Sequence, residues 1–415
     1  MDPGVRRWLI AGAGIIIQLC LGTIYAWSIF KKPMMVSHGW SETQTQLAFM
    51  IYGLVFAIAV AFGGTLIDRK GPRIVGIAGG VLFGLGILLG GMANHLQNIW
   101  LLIAGFGFIA GLGGGFGYVT PITTLIRWFP DKRGLVTGLA VMGYGMGPFF
   151  MGNIGPALIM EVGVAGAFYV WGGTCLFIVL ISALILQNPP SEWQPLLPAS
   201  RSASTTLVLD SLTFEQAVKT EKFWVLWLML FVSITAGLGL ISQLSPMAQD
   251  IMMSVYQGGI PANRMRDIII ASGTIVAVAG IFNGLGRLFW AWTSDAIGRK
   301  AVFFIIFLSL CLGFTLLAHV SHIMIFIVIT CYLLACYGGT MASMPALAAD
   351  EFGSAHIGKI YGVIFTACGL ASLCGPFLFA YIKDHTGSFT YALYTESGLA
   401  ALGFVLTFFV AKRKA

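Results

Sequence analysis

The sequence predicts an all-α membrane protein of twelve transmembrane helices in two pseudo-symmetric six-helix bundles, and three observations carry that expectation. The first is composition. Of 415 residues, 58% are hydrophobic and 9% charged, with a mean hydropathy of +0.89, whereas soluble domains carry about 25% charged residues. Such a chain cannot cover a water-facing surface. The second is a series of twelve apolar runs, each near the roughly 20 residues that cross a bilayer core as a helix. They fall at about 8–30, 45–66, 74–95, 99–126, 134–155, 163–187, 222–247, 268–292, 301–319, 322–349, 358–382 and 389–411, with ends uncertain by ~2–4 residues. The third is repetition. Asp68, Gly71 and Arg73 are echoed by Asp295, Gly298 and Arg299, 227 residues on; Gly134 and Gly138 by Gly358 and Gly362, 224 on; Gly147-Pro148-Phe149 by Gly375-Pro376-Phe377, 228 on.

The polar stretch from Gln187 to Lys222 divides the repeats, giving a first body over 1–187, a linker over 188–221 and a second body over 222–415. The end of the linker, Thr213 to Phe223, has the pattern of a short amphipathic helix on the inner surface. With both termini and the linker cytoplasmic, inner segments hold 17 of the 23 Lys and Arg and outer ones five, Lys31, Lys32, Arg264, Arg266 and Lys383. That asymmetry obeys the positive-inside rule and predicts a multi-pass protein of the plasma (inner) membrane. The net charge of +7 sits in short clusters between apolar runs rather than on one solvated face, which excludes nucleic acid as a partner.

Arg6 and Arg7 before an apolar run imitate a signal peptide, but the run is too long and lacks a small-residue cleavage site, so it reads as the first span. All seven cysteines fall within spans, where they pack as small apolar groups and predict neither disulfide nor metal site. No cofactor is expected, and the chain reads as a monomer among membrane lipids. Of the 54 glycines, Gly80 and Gly84, Gly86 and Gly90, Gly107, Gly111 and Gly115, and Gly143 and Gly147 stand four apart, the spacing of close helix packing. Pro121, Pro148, Pro345 and Pro376 predict kinks near a central pathway.

After the second span the chain reads Gly63-Gly64-Thr65-Leu66-Ile67-Asp68-Arg69-Lys70-Gly71-Pro72-Arg73. A carboxylate at a helix end beside cations in a tight turn is either a charge lock that biases two conformations or a solvated anchor worth little. The loop resembles the signature of the major facilitator superfamily, and Asp295 to Lys300 is similar in the second half. Within that superfamily, Tyr25-Ala26-Trp27-Ser28, Arg127-Trp128-Phe129-Pro130-Asp131-Lys132-Arg133-Gly134, Phe223-Trp224-Val225-Leu226-Trp227, and Gly286-Arg287 with Phe289-Trp290 resemble the oxalate:formate antiporter family and the monocarboxylate transporters. The resemblance implies a central anion site in which an arginine of the eighth span holds a carboxylate and aromatics cage it. By position these are Arg287, Tyr25, Tyr118, Tyr144, Tyr337 and Phe365.

Arg287 is the most informative residue on chemistry alone. The run from Ile268 to Trp292 contains no other charge, and arginine keeps its proton. A buried charge costs at least about 2.5–3.5 kcal/mol on insertion scales, so it marks a pathway. The alternative is snorkelling to the inner interface past Asp295. A guanidinium holds a carboxylate through two parallel hydrogen bonds. Asn283, at i−4 on the same face, either donates to the same ligand or ties the helix to a neighbour. Tyrosines suit a short organic anion, the ring enclosing carbon and the hydroxyl donating to oxygen, although any one aromatic is as readily explained by packing.

Departures from the family pattern narrow the substrate. Cys368 stands where the oxalate pattern carries a second-carboxylate lysine, and Ile29 and Asn283 stand where animal monocarboxylate transporters carry a lysine and an aspartate. One buried cation suits a monoanion, so the expectation is symport of a lactate- or pyruvate-like acid with a proton. An oxalate:formate-type exchanger is the alternative, and efflux of hydrophobic compounds a weaker one. No span carries the residues of an intramembrane enzyme. No acid is expected at mid-membrane; Glu396 comes nearest and is expected to face outward. The six histidines lie at span ends or in loops, and His385 is the candidate for proton coupling.

Overall fold

The computed structural model describes residues 3–190, 212–256, 261–353 and 356–410. The linker between 191 and 211, with Arg201, and the terminal Lys412, Arg413 and Lys414 lie outside the described residues, as do the side chains of Arg133 and Gly134. The described chain is helical throughout. The elements are α1 (Pro3–Gly22), α2 (Ser28–His38), α3 (Glu42–Lys70), α4 (Pro72–His95), α5 (Ile99–Leu102), α6 (Ala110–Trp128), α7 (Arg133–Met146), α8 (Pro148–Ile185), α9 (Phe214–Ala217), α10 (Glu221–Met253), α11 (Ala262–Ile297), α12 (Arg299–Leu317), α13 (Ile323–Phe352), α14 (Ile357–Ile364), α15 (Thr366–Thr386) and α16 (Thr390–Leu406). A 3₁₀ turn at Thr23–Ala26 joins α1 to α2, and a π-helical stretch at Ile103–Ile109 joins α5 to α6. Helices prevail because lipid offers the backbone no hydrogen bonds.

Eleven apolar helical stretches are long enough to span a bilayer, and one of them, Leu135–Ile185, has 51 residues. At helical rise that stretch is about 76 Å, more than twice a bilayer core. It breaks at Gly163, whose φ of 73° reverses the chain, so it holds two crossings, and the described residues make twelve. Gly71 and Gly298 stop α3 and α11 in nearly one conformation, φ/ψ of 82°/160° and 92°/149°. These left-handed stops suit glycine, and they stand at the same point of the two repeats.

The first six crossings and the last six meet along two seams, α3 against α15 and α11 against α7 and α8. The second seam is lined by small residues. A Cβ on Gly145 would stand 2.8 Å from Gly284, and one on Gly152 would crowd the Gly273 carbonyl.

Two sequence expectations are corrected. Lys31, placed on an outer loop, lies within α2, which runs on to His38, and is fully buried; the Glu42 carboxylate neutralises its ammonium, which then needs no water. Glu396, expected to face outward, is turned into the last bundle at 0% exposure, and neither carboxyl oxygen has a hydrogen-bond partner. It lies six residues inside α16, about 9 Å from its start, so an acidic residue does sit within the membrane.

Candidate functional site

A small cavity lies between the two seams, lined by Tyr25, Tyr118, Tyr144, Arg287, Tyr337 and Cys368 together with Ile24, Phe49, Tyr52, Gly53, Phe56, Leu238, Met341 and Ser372. The lining draws on both halves. Tyr25 comes from the 3₁₀ turn after α1, Tyr118 from α6, Tyr144 from α7, Arg287 from α11, Tyr337 from α13 and Cys368 from α15.

Arg287 is 1% exposed, and Nε, Nη1 and Nη2 all lack a hydrogen-bond acceptor. Its guanidinium carbon lies 5.8 Å from the centre of the Tyr144 ring, and Tyr25, Tyr118 and Tyr337 also surround its charge. The rings stack edge to face, Tyr25 on Tyr144 at 5.1 Å and Tyr118 on Tyr144 at 5.2 Å. The Tyr25 and Tyr337 hydroxyls share a hydrogen bond of 2.9 Å across the cavity. A buried guanidinium with unmet donors is costly unless an anion joins it, and a planar fork is built to receive a carboxylate. Snorkelling is not the geometry found: the side chain turns to the cavity, where Gly338 leaves it room, since a Cβ there would meet Arg287 Cγ at 3.1 Å.

Two sequence candidates do not line the cavity. Asn283 is buried on the face of α11 toward α13, its backbone carbonyl against Gly338 and its Oδ1 unpartnered. Phe365 packs on Tyr361 with ring centres 6.0 Å apart. His385 is exposed at the end of α15, where Nδ1 donates to the Tyr381 carbonyl at 2.8 Å and the ring lies on that of Tyr381.

Sequence reasoning missed the face of α3. Phe49, Tyr52, Gly53 and Phe56 follow the helical spacing of one face, yet that spacing is equally a packing stripe, and only the fold turns it toward Arg287. The Tyr52 hydroxyl is buried without a partner. A second, larger crevice between α1 and α8 is lined by Ile16, Leu19, Phe150, Ile154, Val170 and Trp171 among others; no charged side chain lines it, and its walls suit lipid chains rather than an anion.

At the end of the molecule bearing the termini, Asp68 pairs with Arg127 of α6, and Arg299 bridges Asp295 at 2.5 Å and Asp350 at 3.4 Å. Arg73 reaches the Leu186 carbonyl at 3.4 Å, and Arg69 is exposed. Each of these contacts stays within one half. At the opposite end, contacts cross. Lys31 pairs with Glu42 and donates to Gln243 Oε1 at 2.6 Å; Lys32 and Lys383 both hold Asp250 at 2.7 Å. Asp384 accepts from the Glu42 and Thr43 backbone N–H groups at 3.1 and 2.9 Å, and from the Thr43 hydroxyl at 2.6 Å. A carboxylate from the second half thus caps α3 of the first, where the helix dipole favours it.

The sequence matches the family model described as Major Facilitator Superfamily over residues 12–265 and 267–415. It is similar to the oxalate:formate antiporter of Oxalobacter formigenes, 28% identical over 98% of this chain and 92% of the antiporter. It is also similar to monocarboxylate transporter 14 of Mus musculus, 25% identical over 95% and 88%, and to apicoplast pyruvate carrier 1 of Toxoplasma gondii, 24% identical over 91% and 84%.

Proposed function

Since the chain belongs to the major facilitator superfamily, we propose that it moves a short monocarboxylate, lactate- or pyruvate-like, together with a proton by alternating access. The observation that carries this reading is Arg287, fully buried with three unmet nitrogens inside a ring of tyrosines. The names of the similar monocarboxylate transporter and pyruvate carrier point to the same substrate class. In this reading Arg287 holds the carboxylate; Tyr25, Tyr118, Tyr144, Tyr337 and Cys368 enclose the rest, and Asn283 and Phe365 shape the walls behind them. The bodies over 1–187 and 222–415 rock about the cavity, the 188–221 linker and both termini are cytoplasmic, and the protein works as a monomer in the plasma (inner) membrane.

The choice of a monoanion rests on charge. Lys31 is a second embedded cation, but it pairs with Glu42 away from the cavity, whose lining has Arg287 as its one cation. A dianion would leave one carboxylate unpaired in a low-dielectric cavity, at several kcal/mol per ion. The coupled proton is carried on the substrate carboxylate or by a group of the protein near the rim, and His385 is the candidate the sequence offers. The test is uptake of radiolabelled lactate into proteoliposomes with and without an inward proton gradient, competed by pyruvate, acetate, formate and oxalate. Gradient-stimulated uptake that short monocarboxylates inhibit and oxalate barely affects is expected. Oxalate competing as well as lactate, with counterflow indifferent to pH, would establish oxalate:formate-type exchange instead.

A further inference from the structure

Resting on that transport reading, we propose that Glu42 is the proton-binding residue of the carrier, and that Gln46 and Gln243 are the amides that hold Lys31 while Glu42 is neutral. The pair lies where charged contacts tie the halves together, Lys32 to Asp250 and Lys31 to Gln243. Lys31 is 0% exposed and Glu42 4%. Burying two charges costs several kcal/mol per ion, and an apolar pair of the same volume serves stability as well, so the pair calls for a use beyond stability.

The surroundings single Glu42 out among the acids. Lys31 of α2 pairs with the Glu42 carboxylate and Asp384 of α15 accepts from its backbone N–H, Gln243 of α10 shares Lys31, and Lys32, Asp250 and Lys383 form a separate cluster between α2, α10 and α15; His38, at the end of α2, is occupied with Asn94 at 3.0 Å. Asp250 has two lysines, and Asp384 accepts two backbone N–H groups and a hydroxyl; both are held as anions. Glu42 leans on one ammonium alone. Gln46 is one turn further along the same face of α3, fully buried, with its oxygen and nitrogen both unpartnered, and Gln243 Nε2 is likewise unpartnered. These are the dipoles an ammonium needs once its counter-ion is gone: Gln243 Oε1 already accepts from Lys31, and Gln46 Oε1 stands ready. Below them the same face reaches Phe49 and Gly53 of the cavity lining, about 10 and 16 Å from Glu42 at helical rise.

The charges balance. Empty and deprotonated, Lys31, Glu42 and Arg287 sum to one positive charge; with a proton on Glu42 and an anion on Arg287 the sum is the same. The loaded and empty carriers therefore cross the membrane with equal charge, and neither ligand alone achieves this. Opening of the mouth parts Lys31 from Gln243 and Asp384 from α3, which gives Glu42 access to water and protons. The residues differ from Ile29 and Asn283, the positions at which related transporters carry a lysine and an aspartate.

Glu42→Gln fixes the neutral form. In proteoliposomes it should lose accumulation driven by a proton gradient and lose the pH dependence of uptake, while retaining counterflow of labelled against unlabelled substrate at equal pH. Gradient-driven accumulation with the wild-type pH profile would overturn the proposal. So would loss of counterflow in a variant with a wild-type melting profile, which would mark the pair as purely structural. Glu42→Asp, which keeps an acid but shortens its reach to Lys31, should accumulate substrate with a displaced pH profile, and an unchanged profile would count equally against the proposal. Failure of the wild type itself to respond to a proton gradient would instead remove the transport reading on which this rests.

Discussion

Tyr25 and Tyr337 join the two halves of the molecule by a single hydrogen bond of 2.9 Å, hydroxyl to hydroxyl, directly beside the Arg287 guanidinium. An anion on Arg287 offers both hydroxyls a stronger, charged acceptor. Tyr25→Phe and Tyr337→Phe should each weaken substrate affinity, by about 1.5–3 kcal/mol if a charged hydrogen bond is lost. Concentration-dependent uptake should show a raised KM. An unchanged KM in both variants would place the ligand elsewhere.

Arg287→Met should raise the melting temperature of the substrate-free protein, because three buried nitrogens without acceptors are replaced by an apolar side chain of similar reach. It should also abolish uptake. Ligand at 100 times its Kd stabilises a binding protein by about 2.7 kcal/mol, so saturating lactate should shift the melt of the wild type and leave that of Arg287→Met in place. Arg287→Lys should rescue poorly, since an ammonium lacks the fork.

Gly338→Ala should cost transport through geometry alone. Its methyl group would strike the Asn283 carbonyl and press on Arg287 Cγ, parting α11 from α13 and turning the guanidinium away. Overpacking of this kind costs about 1–3 kcal/mol. The melt should fall by that amount and substrate protection should vanish, whereas Gly64→Ala, which meets nothing within 4 Å, should leave both intact.

Glu396→Leu should stabilise the protein by about 1–3 kcal/mol, the cost of a buried polar group without a partner, and leave uptake and its pH dependence as they are. Thermal melts in detergent together with proton-driven uptake check both halves of the statement. A loss of pH dependence here would move the proton site from α3 to α16.

Topology is checked on a background lacking the seven native cysteines. Ser388→Cys should react with an impermeant maleimide added outside intact cells, and Asn188→Cys only after permeabilisation.

Much of this molecule was legible in its residues. The apolar runs, the repeated Asp-Gly-Arg loops and the lone arginine of the eighth span identified the fold and the centre of the cavity, because burying charge and exposing backbone in lipid are so costly that few arrangements remain. Lys31 and Glu396 were misplaced for one shared reason. A charged residue near the end of a span satisfies the sequence pattern equally well by facing water or by turning inward to a partner supplied by a distant helix. Glu42 and Gln243 stand 11 and 212 residues from Lys31, and no periodicity links them. The aromatic face of α3 escaped notice because a ligand wall and a packing stripe have one spacing.

The glycine seam between α7, α8 and α11 has a mechanical meaning. Interdigitated side chains act as cogs, and sliding them means breaking rotamers one after another. Where Gly145 meets Gly284 and Gly152 meets Gly273, backbone lies close to backbone with only the Met146 and Pro156 side chains beside the contacts, so the surfaces have little to mesh. The seam runs along mid-length of these helices, with the Lys31 clasp beyond one end and unbridged halves among the described residues at the other. In the proposed alternating access it is the fulcrum, and a small tilt about it parts one rim of the molecule as it presses the other together.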